Sequence, residues 1–150
     1  MIRVAVTPAP IDVAAEMALL ERGGAVATFT GLVRADPVAE HGTVSALELE
    51  HYPGATDAAL LRLAEASAAR WGLSAVVVVH RVGVMTPGER IVFVGTCADH
   101  RAAALEACAF LIDRLKTDAP FWKRETVGKA SRWVEPRAGD DMAAARWDQG

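Results

Sequence analysis

Ile2, Val4 and Val6 alternate with other residues, a period of two that predicts a short first strand. Asp12 to Arg22 reads as a helix, with Asp12 as its N-cap and Gly23-Gly24 as its stop. Ala25 to Val33 (AVATFTGLV) returns to strand character, and the polar stretch that follows, residues 34–43, predicts a mobile loop. Val44 to His51 alternates strictly and predicts a half-buried strand, turned by Pro53-Gly54. Thr56 then caps a helix to about Trp71, ended by Gly72. The β-branched run Ala75 to His80 predicts a central strand. The chain continues through Val82 to Met85 and a Pro87-Gly88 turn into a strand over Arg90 to Cys97. Asp99 is the expected cap of a third helix running to about Lys116, which Pro120 forbids from continuing. Lys123 to Val127 and Arg132 to Glu135 predict a small hairpin across Gly128, and the tail, residues 136–150, has room for one or two helical turns. Strands and helices mix without a regular βαβ repeat, so the expected class is α+β, with mixed and antiparallel strands and about three helices packed on them.

A chain of 150 residues suits one domain over 1–150, and a hydrophobic fraction of 52% with 23% charged residues excludes a disordered composition. The net charge of -3 argues against a general nucleic-acid binder, which carries a basic excess. The longest apolar run, Leu73 to Val79, is too short to span a bilayer, and MIRVAVTPAP does not read as a secretory leader. Cys97 and Cys108 form no CxxC pair and sit in apolar surroundings, so a reducing, cytoplasmic setting is expected and neither is expected to carry sulfur.

Three segments carry the candidate chemistry. Thr30 to Arg34 ends in an arginine suited to a phosphate or carboxylate, although an exposed arginine at a strand exit is also an ordinary finding. Asp99-His100-Arg101 puts cations at a helix N-terminus, where the dipole favours anions; a bound anion would reconcile them, and so would surface charge offset by Asp99. The densest signal is Leu115 to Glu125. There Lys116 and Lys123 flank a proline stop and the pair Phe121-Trp122, which is suited to walling a flat ring; the plain alternative is a dipole-complementing lysine followed by a core anchor. The histidines lack metal-site spacing, and no GxGxxG or Walker A motif calls for a dinucleotide or nucleoside triphosphate, so no cofactor is expected.

In these segments the chain resembles the molybdopterin synthase catalytic (large) subunit family. The matching words are Ala25 to Gly31 with Val33-Arg34, Leu49 to Gly54, His80 to Gly83, Pro87 to Glu89, His100-Arg101, Leu115 to Thr117, Ala119 to Glu125 and Arg132 to Glu135. They run in order over nearly the whole chain. The resemblance implies an α/β hammerhead-like fold with a small β-hairpin subdomain. It implies a sulfurtransferase acting on cyclic pyranopterin monophosphate, with a small ubiquitin-like sulfur-carrier subunit donating sulfur from a C-terminal Gly-Gly thiocarboxylate. Substrate positions then fall on Leu32, Val33, Arg34, His100, Arg101, Lys116, Lys123, Arg124 and Glu125, with Lys116, Lys123 and His100 catalytic. Two departures stand out: Ala35 to Gly42 matches no family pattern, and Asp118 replaces a basic residue that often follows the Lys-Thr pair. A phosphoester-binding acyltransferase with His100 as base, and a non-catalytic module recognising a ubiquitin-like partner, are the competing readings.

Helix geometry adds a constraint on assembly. His100 and Lys116 lie 16 positions apart (116 − 100), which is roughly 24 Å along a helix, too far for one pterin to bridge. No Gly or Pro interrupts Arg101 to Leu115. Because the resemblance implies that both ends of this helix bind substrate, the expectation is a homodimer whose two pockets are each completed by the other chain, and with one carrier per pocket, a heterotetramer.

Overall fold

Four consecutive valines, Val76 to Val79, leave their strand no polar side, so both faces have to be covered. A computed structural model, describing residues 1–38, 42–134 and 138–149, shows how. Its elements are β1 (Ile2–Thr7), α1 (Val13–Ala18), β2 (Ala25–Leu32), β3 (Pro37–Val38), β4 (Gly42–Thr43), β5 (Ala46–His51), α2 (Ala55–Trp71), β6 (Ala75–Arg81), β7 (Gly83–Met85), β8 (Arg90–Ala98), α3 (Arg101–Asp118), β9 (Phe121–Val127), β10 (Ala130–Val134) and α4 (Ala138–Ala145), followed by a 3₁₀ turn, Arg146–Gln149. The class is α+β, as the sequence indicates.

The first sheet has the order β1-β6-β8-β2; β1 runs parallel to β6 and the other pairs are antiparallel. Every residue of β6 is buried. Val76 and Val78 face α2 and α3, where they meet Leu60, Val94, Ala104 and Leu111. Val77 and Val79 face the other way and pack with Ile11, Leu20, Phe93 and Cys97 beside α1. Each fully buried large apolar side chain among these contributes about 1.5–3 kcal/mol. The second sheet, β10-β9-β5-β7, is antiparallel and has its own apolar cluster of Val33, Leu47, Leu49 and Met85. The hairpin expected as a separate subdomain is therefore part of this four-stranded sheet, because β9 also pairs with β5 over six positions, Ala46↔Thr126 to His51↔Phe121.

Several boundaries differ from the sequence reading, each for a local reason. α1 stops at Ala18 and not Arg22, since Leu20 leaves the helix to fill the core at 0% exposure. Asp12 does cap it, accepting a hydrogen bond from the Ala15 N–H at 3.1 Å. The Gly23-Gly24 pair serves a close crossing: a Cβ on Gly24 would fall 2.3 Å from the Asp99 carbonyl oxygen. α2 is capped by Gly54, at φ +87°, whose N–H donates to Asp57, while Thr56 lies within the first turn. α3 is capped by His100 and not Asp99. Part of the expected loop 34–43 is a ladder, Pro37–Val38 on Gly42–Thr43. Residues 39–41 of that loop, Glu135 of the expected last strand, and residues 136, 137 and 150 of the tail lie outside the described residues.

Candidate active site

The candidate residues are densest on either side of the turn between α3 and β9. Lys116 occupies the last turn of α3, where a cation complements the helix dipole. Pro120 ends the helix, and Lys123 follows on β9. Lys116 is half exposed and lies 3.7 Å from the Asp140 carboxylate of α4. Asp118 is engaged by Arg114 at 3.0 Å and by the Thr117 hydroxyl at 3.0 Å, so its charge is largely offset within α3.

Because a strand alternates faces, β9 divides its residues. Lys123 sits between Leu49 of β5 and Val134 of β10 in the register, and Glu125 between Leu47 and Arg132. These positions share the face of the apolar cluster that contains Val33, the residue before Arg34. Glu125 accepts a hydrogen bond from Arg132 at 3.2 Å. Arg124 faces the opposite side, where it pairs with Glu48 and stacks over Trp133 at 5.1 Å. Phe121 and Trp122 are divided in the same way. Phe121 stacks on His80 with ring centroids 4.0 Å apart, whereas exposed Trp122 meets Tyr52 edge-on at 5.3 Å. The pair is thus not a single aromatic wall. Lys123 and Glu125 share one face of β9, Lys116 lies before the turn that leads into that strand, and Arg124 stands on the sheet's other face.

The remaining candidates lie elsewhere. Leu32 is 52% exposed at the end of β2 and lines a cavity of about 480 Å³ with Pro10, Ile11, Arg81 and Glu89. Val33 is buried; its N–H donates to the Glu89 carbonyl at 2.9 Å and its carbonyl accepts from Gly88, so its N–H is already committed. Arg34 is exposed and 3.2 Å from Asp36. His100 and Arg101 are exposed at the start of α3, which runs unbroken for 18 residues. One chain therefore places Lys116 and His100 at opposite ends of a rigid rod.

Two buried groups have shifted proton affinities. Burial pushes the His80 pKa down to about 4, with nearby His51 adding to the effect. Its Nδ1 faces the Arg81 carbonyl at 2.8 Å, so that nitrogen carries the proton of a neutral ring. Burial pushes the Cys108 thiol up to about 11, which makes it a poor nucleophile. Sequence reasoning missed the stack of His80 on Phe121 and the division of β9 between two faces. Period-two alternation applied to Phe121–Glu125 was the signal for the second.

The family described as MoaE protein matches residues 6–118. The chain belongs to this MoaE family. A molybdopterin synthase catalytic subunit of Caulobacter vibrioides is 55% identical over 129 residues, 86% of this chain and 83% of the relative. The protein of that name from Escherichia coli is 47% identical over 148 residues and covers 97% of both chains, which carries the MoaE likeness past residue 118 to the Lys123 strand. A solved structure, the molybdopterin biosynthesis MoaE protein of Burkholderia ambifaria, superposes with a TM-score of 0.83 at 43% identity over 99% of both chains.

Proposed function

We propose that this chain is the catalytic subunit of a molybdopterin synthase, folded as one domain over 1–150. It is a sulfurtransferase that converts cyclic pyranopterin monophosphate to molybdopterin. The sulfur comes from the C-terminal thiocarboxylate of a small ubiquitin-like carrier subunit. The observation that carries the reading is the pair of lysines set on either side of one proline turn, in a chain with MoaE relatives over nearly its whole length. The thiocarboxylate sulfur bonds to a side-chain carbon of the pterin as a carbon–oxygen bond at that carbon breaks, the oxygen leaving protonated as water or with the phosphate. Water then cleaves the resulting thioester, returning the carrier's carboxylate and leaving sulfur on the pterin, and a second carrier repeats the transfer at the neighbouring carbon to complete the dithiolene. Negative charge develops on the thioester carbonyl oxygen as water cleaves it, and we assign Lys116 or Lys123 to stabilise it. Arg34 grips the substrate phosphate. Neither buried cysteine takes part, because the sulfur arrives on the carrier. Two cysteines kept as thiols fit the cytoplasm, and no helix among the described residues is long and apolar enough to cross a membrane.

His100 and Arg101 join the site from a second copy. β2 is an edge strand of its sheet. Val26 and Phe29 on β2 and Leu105 on α3 are exposed apolar residues beside a groove of about 550 Å³ that also touches Cys108 and Ile112. A two-fold copy seated there lays the two α3 helices antiparallel, so each His100 end approaches the partner's Lys116 end. With one carrier per pocket the assembly is a heterotetramer.

The test mixes the purified chain with thiocarboxylated carrier and cyclic pyranopterin monophosphate. Dithiolene product is expected, and its absence overturns the reading in favour of a binding module or another transferase. The shared pocket is tested by mixing Lys123→Ala with a His100→Ala, Arg101→Ala double variant. After random exchange, half the dimers are mixed and hold one intact pocket each, so roughly a quarter of wild-type activity returns. Demonstrated mixed dimers with no recovery would exclude the arrangement.

A further inference from the structure

Thr56 belongs to a segment that no step of the reaction uses, yet it joins the turn between the two lysines. It sits in the first turn of α2 at 0% exposure. Its hydroxyl donates to the Pro120 carbonyl at 2.8 Å, across 64 residues of sequence, and accepts from the Tyr52 N–H at 3.0 Å. The Thr56 N–H in turn donates to the Tyr52 carbonyl at 2.9 Å. One side chain thus closes the β5–α2 turn and fastens it to the α3–β9 turn.

The position of that fastening matters. Pro120 lies four residues after Lys116 and three before Lys123. Proline has no N–H, so its carbonyl is the residue's one backbone hydrogen-bonding group. The ladder between β5 and β9 reaches only to His51↔Phe121. The Thr56 bond extends that restraint one residue further, into the turn itself. Rotation about the Pro120 backbone would swing Lys123 relative to Lys116, and the buried hydroxyl opposes it.

We infer that Thr56 is a positioning residue whose hydroxyl fixes the distance between Lys116 and Lys123. This rests on the reading of those lysines as the groups that meet the substrate. A misplacement of about 1 Å at a reacting centre costs up to a hundredfold in rate, so the hydroxyl acts on turnover more than on binding. Valine keeps the shape of threonine and removes the hydroxyl; serine keeps the hydroxyl.

The experiment measures dithiolene formation by the complex with thiocarboxylated carrier, at a temperature where circular dichroism shows each variant folded. Thr56→Val is expected to lower kcat by about tenfold to a hundredfold with KM within about threefold of wild type, and Thr56→Ser to stay within about threefold in kcat. If the valine variant does not fold, Thr56→Ala takes its place in the same comparison. A folded hydroxyl-free variant with wild-type kcat overturns the inference, as does a serine variant as impaired as the valine one. Lys123→Ala, run beside them, separates the two claims: full activity there sinks the lysine reading and the inference with it, whereas an inactive Lys123→Ala beside an unimpaired Thr56→Val sinks the inference alone.

Discussion

The two ends of α3 belong to one helix but are held very differently. At the start, His100 occupies the cap position in an extended conformation, its side chain makes no capping bond, and the first turn contains no acidic residue. Arg101 is exposed beside it, at the pole of the helix that repels cations. At the other end Arg114 holds Asp118 at 3.0 Å and Asp148 at 2.6 Å, Asp113 receives Trp147 and Arg146 at 2.7 Å each, and Thr56 fastens Pro120. An unsatisfied helix start with misplaced cations lowers stability, while the braced end gains it. The contrast fits a division of labour in which one end is built rigid around the lysines and the other is left open for an anion held with a second copy.

The contrast gives three predictions. The largest effect concerns the braced end. Lys116→Ala and Lys123→Ala should each lower dithiolene formation by about a hundredfold or more with unchanged circular dichroism; near-normal turnover in both would remove the reason for bracing this end. Next comes His80, which supports Phe121 just past the same turn. Its folded pKa of about 4 lies below the unfolded value of 6.5. The unfolded chain therefore takes up a proton first. The stability contribution is complete above about pH 6.5, and it is lost as the pH falls toward 4, a total of roughly 3 kcal/mol. Denaturant melts of wild type and His80→Phe across that window should show the steeper acid loss in wild type, and parallel curves would count against a neutral His80. The smallest effect is at the open end. His100→Ser supplies the missing cap and should stabilise the fold by about 1 kcal/mol while lowering activity. An unchanged unfolding midpoint would show that this end was not under-capped, and full activity would show that its histidine is not needed.

Periodicity alone made most of the scaffold legible. The valine run gave the central strand, and Pro120 gave the end of α3. The boundaries that moved did so where tertiary packing outweighed a local signal: Leu20 shortened α1, and the Gly24 crossing used glycines that read as a helix stop. In the site, Lys116 and Lys123 stood out as a word, but the word concealed that Arg124 and Trp122 point away from Lys123. Thr56 could not be found from the sequence, because its partner is 64 residues distant and a threonine after Pro-Gly reads as a cap. The closing of the second sheet by β5, β7, β9 and β10 is non-local in the same sense.

The alternation along β9 also limits how the chain can change length. Side chains on a strand exchange faces with every single step. A one-residue insertion or deletion between Pro120 and Lys123 would hand Lys123's place to a neighbour and turn the lysine toward Glu48 and Trp133. A change of two residues would restore the side but shift the β5 ladder by a full repeat. The stretch from Pro120 to Lys123 can therefore exchange residues over evolution but has no freedom to gain or lose them singly, while the β3–β4 segment, at the far end of β5, carries no such constraint from the lysines.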